Sequence, residues 1–442
     1  MQAAAMSGLL DRYATRLRRA QPWRWRGRVV ESVAQTVESA GPLASVGECC
    51  EIVDREGRVH EAEVIGFRGA NLLAMPVESA EGIRFGDEVA ALGTRPELGV
   101  GMALLGRVLR ADGSPLDGGP PPHLCDSLPL DGAVRSPLDR VPIRIPLGTG
   151  IRALDGMLTV GRGQRVGIFG GSGVGKSTLI GMMTRNTEAD VTVVGLVGER
   201  GREVREFLED ALGAAGRARS VVLVSTSDQS PLQRMRGALA ATTVAEYFAA
   251  QGQNVLLVLD SLTRYAMAAR EIGLAAGEPP TAKGYTPSVF TRLAKLVERT
   301  GQFRQGSITA FYTVLMEGDD QQDPLVDAVR SLLDGHVVLA RGLASEGWYP
   351  PIQVLDSISR LMPAVAGAEA LQQSALVRRM LAVLARSEDL VRIGAYKTGS
   401  DPELDRALRA RPAIRAFLTQ RADEQESFQQ TRQRLGQLAA EI

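Results

Sequence analysis

A chain of 442 residues, 44% of them apolar, is long enough for two or three domains with buried cores. Lys and Arg total 51, as do Asp and Glu, so no global charge argues for nucleic acid or an anionic membrane. Cys49, Cys50 and Cys125 form no C-x-x-C pair, His60, His123 and His336 have no ligand spacing, and no apolar run approaches about 18 residues, which excludes a disulfide scaffold, a structural metal and a membrane span and predicts a reducing, cytoplasmic setting.

Residues 1–22 read as a short basic amphipathic helix. Met6, Leu10, Tyr13 and Leu17 fall at helical spacing, Arg12, Arg16 and Arg19 lie elsewhere on the turn, and Pro22 ends it. Packing on its own protein and docking to a partner or membrane surface both fit such a helix. Residues 23–95 change texture to short Val-, Ile- and Glu-rich runs broken by Gly. "CEIVDREGRVHEAEVIGF" is two strand-like runs joined by a turn at Arg55-Glu56-Gly57, and "GIRFGDEVAALG" repeats the style, which predicts a small β-barrel. Cys49 and Cys50 read as strand packing. "LRADGSPLDGGPPP", residues 109–122, reads as a turn-rich connector. From Gly161 onward "RVGIFG", "VTVVGLVG", "VVLVS", "NVLLVLD" and "SITAFYTVL" alternate with helical patterns, as a parallel sheet buried on both faces requires. One such pattern is "VFTRLAKLVERTG", with Val289, Phe290, Leu293, Leu296 and Val297 on one face. After Pro363 strand patterns give way to helical ones. The domains expected are therefore 1–22, 23–95, 96–362 and 363–442: helix, barrel, P-loop α/β domain and helical domain.

Between the first of these strands and a helix lies "GGSGVGKST", which fits G-x-x-x-x-G-K-[ST] from Gly170 through Gly175, Lys176 and Ser177. Glycines let backbone N–H groups wrap phosphates, so Gly171, Ser172, Gly173, Val174, Gly175, Lys176, Ser177 and Thr178 are the candidate nucleotide contacts. Lys176 would neutralise phosphate oxygens and the Ser177 hydroxyl would ligate Mg²⁺. Asp260, closing "NVLLVLD", is the candidate carboxylate of the same metal site; a strand-ending Asp that caps the next turn is the weaker reading. Hydrolysis needs a base at the mouth of another strand, and "VTVVGLVGERGREVREF" offers Glu199. Arg200 would contact the γ-phosphate; Glu203 is a weaker accessory candidate that reads more readily as a surface helix charge.

"GERGREVREF", "DSLTRYAMAAREIGLAAGEPPTAKGYTPSVF", "GSITAFYTVLMEGDDQQDPLVDAVRSLLDGHVVL", "LDSISRLMP" and "RIGAYKTGSDPELDRAL" resemble blocks of the flagellar and type III secretion ATPases, relatives of the rotary F-type β subunit, over about Gly101 to Phe417. The resemblance implies a multidomain α/β protein: an N-terminal β-barrel, a central RecA-like P-loop domain with a mainly parallel sheet, and a C-terminal helical domain. It also implies ATP with Mg²⁺ and a homohexameric ring whose sites lie between subunits. "LDSISR" then matches the segment supplying an arginine to the neighbour's site, Arg360, and "EGWYPPI" the segment whose aromatic packs on adenine, Tyr349, with a core-edge aromatic as the weaker reading of that ring. Lys283 and Tyr285 of "KGYTPSVF" match a loop facing the ring channel. The implied partners are a stator-like regulator on the N-terminal helix, a coiled-coil stalk, export chaperones and substrates, and a membrane export gate at which a cytoplasmic enzyme docks peripherally. "YPPIQVLDS" departs from the Ala–Ile/Val–Asp run usual after Tyr-Pro, which places Pro351 and Gln353 near the adenine pocket.

With Lys176, Glu199, Asp260 and Arg360 all present, the chain reads as a catalytic subunit. "KSTLIGMMTRNTEADV", "STSDQSP" and "GDDQQDP" favour the flagellar over the virulence type. A rotary synthase catalytic subunit is the weaker alternative, since the C-terminal helices lack an acidic lever motif. A hexameric RNA translocase is weaker still, because only 5% of residues are aromatic and nucleic-acid partners are not expected.

Overall fold

The computed structural model describes residues 24–124, 126–132, 136–171, 173–316 and 323–442. The helix read in residues 1–22, Cys125 and Ser172 of the glycine-rich loop lie outside the described residues. The chain divides into two compact units, Met1–Pro96 with Leu274–Glu278, and Glu97–Gly273 with Pro279–Ile442.

In the first unit β1 (Arg26–Val33), β2 (Thr36–Ala40), β3 (Cys49–Val53), β4 (Val59–Arg68), β5 (Asn71–Pro76) and β6 (Glu88–Ala91) close into a barrel of order β1-β2-β5-β4-β3-β6. Val29, Val37, Ile52, Val64 and Val89 fill it, each at most 1% exposed. The β3–β4 hairpin turns where expected: Gly57 takes φ +81°, and the Asp54 carboxylate accepts from the Arg58 backbone N–H and Nε. Cys49 and Cys50 are both buried on β3, and burial pushes the Cys50 thiol up to about 12, so it packs as an apolar side chain.

The second unit is built on β7 (Val108–Arg110), β8 (Arg165–Gly170), β9 (Val191–Glu199), β10 (Ser220–Thr226), β11 (Asn254–Asp260), β12 (Ser307–Leu315), β13 (Gly335–Val338) and β14 (Ile358–Ser359). They lie in the order β14-β13-β8-β12-β11-β9-β10-β7, parallel except for the edge strand β14. The five apolar runs of the sequence are β8 to β12. The stretch read as a connector from residue 109 begins in an edge strand instead: β7 has three residues, too few for a period, and its conformation comes from pairing with Val222–Val224.

The helices that matter here are α1 (Arg152–Met157), α2 (Lys176–Asn186), α3 (Gly201–Glu206), α4 (Pro231–Ala250), α5 (Leu262–Ala275), α6 (Pro287–Val297), α7 (Ala368–Arg386), α8 (Pro402–Leu418) and α9 (Phe428–Glu441). α6 buries Val289, Leu293, Leu296 and Val297, with Phe290 half-buried on the same face. α7 to α9 share one apolar core with α1 and the sheet, through residues such as Leu154, Met157, Val377, Ile414, Phe417 and Leu435. Contact there is close: a Cβ on Gly156 would lie 2.7 Å from the Phe417 ring. Arg152, 3% exposed, donates to the carbonyls of Phe417 and Thr419 and pairs with Glu424 and Glu426, satisfying the open C-terminal end of α8.

Candidate active site

The glycine-rich loop joins β8 to α2. Val174, 2% exposed, anchors it in the core, and Gly171 is buried beside the end of β8. Gly173 and Gly175 take φ +78° and +91°, left-handed values that glycine adopts without strain. α2 then starts at Lys176, with Ser177 and Thr178 exposed on its first turn and its unpaired N–H groups directed back at the loop.

Lys176 Nζ lies 2.9 Å from Asp260 Oδ1, both side chains largely buried. Asp260 ends β11, and Thr313 of the adjacent β12 donates its hydroxyl to the same Oδ1 at 2.6 Å. The carboxylate is thus aimed at the loop by two strands. Ser177 and Asp260 supply hard oxygen donors, and few protein ligands with retained waters is the arrangement Mg²⁺ takes, so the residues fit that ion. Among the described residues no cluster of three or more His, Cys, Asp and Glu could hold a metal alone.

Glu199 reaches the same place through a bulge. The β9–β10 register shifts between Val197 and Glu199, and the extra residue, Gly198, takes φ +72°. A Cβ on Gly198 would meet the Arg264 side chain at 2.9 Å, so glycine also admits that arginine. The Glu199 carboxyl is pushed up to about 8, first by burial, then by its hydrogen bond with Glu203 and the negative charge of Asp260, with Lys176 opposing. Glu203 sits on α3 and moves the other way, held below the usual range by that hydrogen bond. The two carboxyls therefore share one proton, with Glu199 its main holder. Glu203, the weaker accessory candidate of the sequence, lies against Glu199 rather than standing free as a surface charge. α3 is what carries it there; Glu199 ends a strand and Glu203 lies on the following helix, so no helical spacing within "GERGRE" links the two.

Two further residues had no sequence signal. Thr313 is one polar residue inside a buried strand, and Arg264 is one of many arginines; among the described residues its buried Nε has no hydrogen-bond partner, and its side chain packs on Gly198, next to Glu199. Arg200 is not drawn in: its side chain is 74% exposed, and its guanidinium stands 3.4 Å from Glu203.

The Tyr349 ring lies over the loop; a Cβ on Gly175 would be 3.5 Å from Tyr349 Cε1 and 3.9 Å from Pro351 Cδ. The ring is 48% exposed and has an open face. Pro351 and Gln353 continue the strand edge, since Ala340 N–H donates to the Pro351 carbonyl and Gln353 N–H to that of Val338. Lys283 pairs with Asp323, and Tyr285 is buried with the Arg270 guanidinium 5.4 Å above its ring.

Arg360 lies at the other end of the sheet. Its N–H donates to the Asp334 carbonyl, and Asp334 N–H to that of Arg165, the first residue of β8. The loop follows the last residue of β8. Five residues of strand separate the two, about 16 Å, and β13 intervenes sideways. An exposed arginine there cannot complete the site of its own chain.

Comparison with known proteins gives two matching families: the nucleotide-binding domain of the ATP synthase alpha/beta family over residues 150–359, and the C-terminal domain of the type III secretion ATPase EscN over 366–437. The flagellum-specific ATP synthase of Pseudomonas aeruginosa is 52% identical, the alignment covering 94% of this chain and 93% of that one. The type 3 secretion system ATPase of Xanthomonas euvesicatoria is 47% identical over 92% of each. Assembled EscN of enteropathogenic E. coli, in complex with its central stalk EscO, superposes with a TM-score of 0.86 at 42% identity, covering 93% of this chain and all of that one.

Proposed function

We infer the function of this chain from its family: it belongs to the flagellar and type III secretion ATPases of the ATP synthase alpha/beta family. It is an ATPase of a protein-export apparatus, and its identity to flagellar relatives favours the flagellar type over the virulence type. The protein works as a homohexameric ring in the cytoplasm, coupling hydrolysis to the delivery and unfolding of export substrates. A stalk enters its channel, as EscO binds EscN. A regulator on the N-terminal helix, export chaperones and a membrane gate are its further partners.

One observation carries the reading. Lys176, Asp260 and Glu199 converge at one end of the sheet, while Arg360 is held at the opposite end of an edge strand. Each site then needs an arginine from a neighbour, and a ring supplies one to every site. Backbone N–H groups from Gly171 to Lys176 bind the ATP phosphates, Ser172 among them, and the open face of Tyr349 receives adenine. Lys176 turns from Asp260 to the β- and γ-phosphate oxygens; Asp260 and Ser177 would then hold Mg²⁺, which would supply charge neutralisation at the phosphates. Once ionised, its shared proton having left to solvent, Glu199 accepts a proton from the water attacking the γ-phosphorus, and a pKa of about 8 makes that ionised form accessible near neutral pH. Arg360 of the neighbour, and Arg200 once it swings inward from its exposed place beside Glu203, offset charge on the transferring group.

The test is ATPase rate against protein concentration, with particle mass measured in the same samples. A rate per subunit that climbs as rings form is expected. A rate independent of concentration, with monomers alone present, would refute the shared site.

A further inference from the structure

Tyr349 is followed by two prolines, which have no N–H to donate; Trp348 N–H donates to the Leu343 carbonyl on one side and Ala340 N–H to the Pro351 carbonyl on the other. Its carbonyl accepts a 2.7 Å hydrogen bond from the backbone N–H of Gln420, two residues beyond the end of α8. Gln420 is 4% exposed, and every polar group of its side chain is engaged. Nε2 donates to the carbonyls of Gly150 (2.8 Å) and Glu424 (3.1 Å), and Oε1 accepts from the Arg152 N–H at 2.9 Å. The side chain therefore fixes the peptide whose N–H holds Tyr349. A second tie from α8 supports the same segment: the Arg415 guanidinium lies 5.6 Å from the Trp348 ring centroid and donates to the Glu346 carbonyl at 3.0 Å.

From this geometry we propose that Gln420 is a positioning residue for nucleotide-base recognition, setting the height of the Tyr349 ring above Gly175 through its backbone hydrogen bond to the Tyr349 carbonyl. The proposal rests on Tyr349 being the base-stacking face. It touches no phosphate and no reacting atom, so it acts on how the base is held. A buried amide with all its hydrogen bonds made costs stability when cut, whatever its role. Base preference is the readout that a purely structural role would leave unmoved.

The test uses the full-length assembled enzyme and two probes, ATP and inorganic tripolyphosphate, which has the phosphates and no base. In Gln420→Ala the KM for ATP rises about five- to tenfold, the low end of what an aromatic–base stack contributes. The kcat falls less than twofold, and the Ki of tripolyphosphate against ATP stays where it was. Gln420→Glu keeps the acceptor for Arg152 N–H and loses the donor, so it gives an intermediate KM; it carries the same test if the alanine variant does not fold. In a Tyr349→Ala background Gln420→Ala adds nothing further, because both act through one ring. Equal changes in the ATP KM and the tripolyphosphate Ki would overturn the proposal, as would a loss of kcat with KM unmoved, or additive effects of the two substitutions. Tyr349→Ala alone separates the two levels. If it leaves the ratio of ATP KM to tripolyphosphate Ki unchanged, the base-stacking reading itself falls, and the role of Gln420 with it.

Discussion

Replacing the candidate base should make the nucleotide-free protein more stable, and only above a defined pH. A glutamate carboxyl ordinarily titrating near 4.5 is raised to about 8 at Glu199, by burial and by the adjacent Glu203 and Asp260. A group whose folded pKa lies above its unfolded one contributes stability that is complete below about 4.5 and is lost as pH rises to about 8. At about 1.4 kcal/mol per pKa unit the full shift would amount to about 5 kcal/mol. The site is open to solvent on one side, which screens it to roughly 2 kcal/mol. Glu199→Gln removes the ionisable group in the same shape. Its Tm should match the parent at about pH 4, below the unfolded pKa, and exceed it by about 3 °C at pH 8.5, measured without nucleotide at concentrations below ring formation. In the native enzyme kcat/KM should rise with pH and level off near 8, since that parameter reports the free-enzyme pKa. A Glu199→Gln variant less stable than the parent at pH 8.5, or equally shifted at both pH values, would refute the argument that Glu199 is a buried carboxyl held against its charge.

Lys176→Ala removes the phosphate-binding cation and leaves Asp260 without its buried partner, so ATP binding, followed by titration of a fluorescent nucleotide, should fall by two orders of magnitude or more, roughly 3 kcal/mol. Arg360→Ala rings should be inactive yet regain turnover when mixed with Glu199→Gln subunits, because mixed neighbours rebuild complete sites; no recovery on mixing would argue against sharing. Arg152→Ala leaves two helix-end carbonyls open and takes the buried cation from Glu426, which keeps only Arg434, so unfolding in urea should show a loss of about 3 kcal/mol, far more than an exposed arginine such as Arg205 would give.

The loop, the acid-ended strand and the strand–helix alternation were legible because each is local. A strand buried on both faces must be continuously apolar, and a phosphate loop must place glycine where φ is positive, as at Gly173 and Gly175. Long ordered blocks such as "GERGREVREF" carried the family. The sequence alone therefore determined the fold class, the nucleotide chemistry and the family. Tertiary structure decided what depends on residues far apart in the chain. Three residues at 108–110 became a strand because an edge was there to pair with. Glu203 joined the site because a bulge at Gly198 and a short helix brought it to Glu199. Thr313, Arg264 and Gln420 carry no local pattern at all; they matter through single hydrogen bonds or contacts across neighbouring elements. The separation of Arg360 from its own loop follows from the antiparallel direction of β14, a fact of sheet order that no stretch of sequence states. Periodicity records which face of an element is buried; which elements meet, and at which end, is settled by pairing and packing between segments that the chain holds hundreds of residues apart.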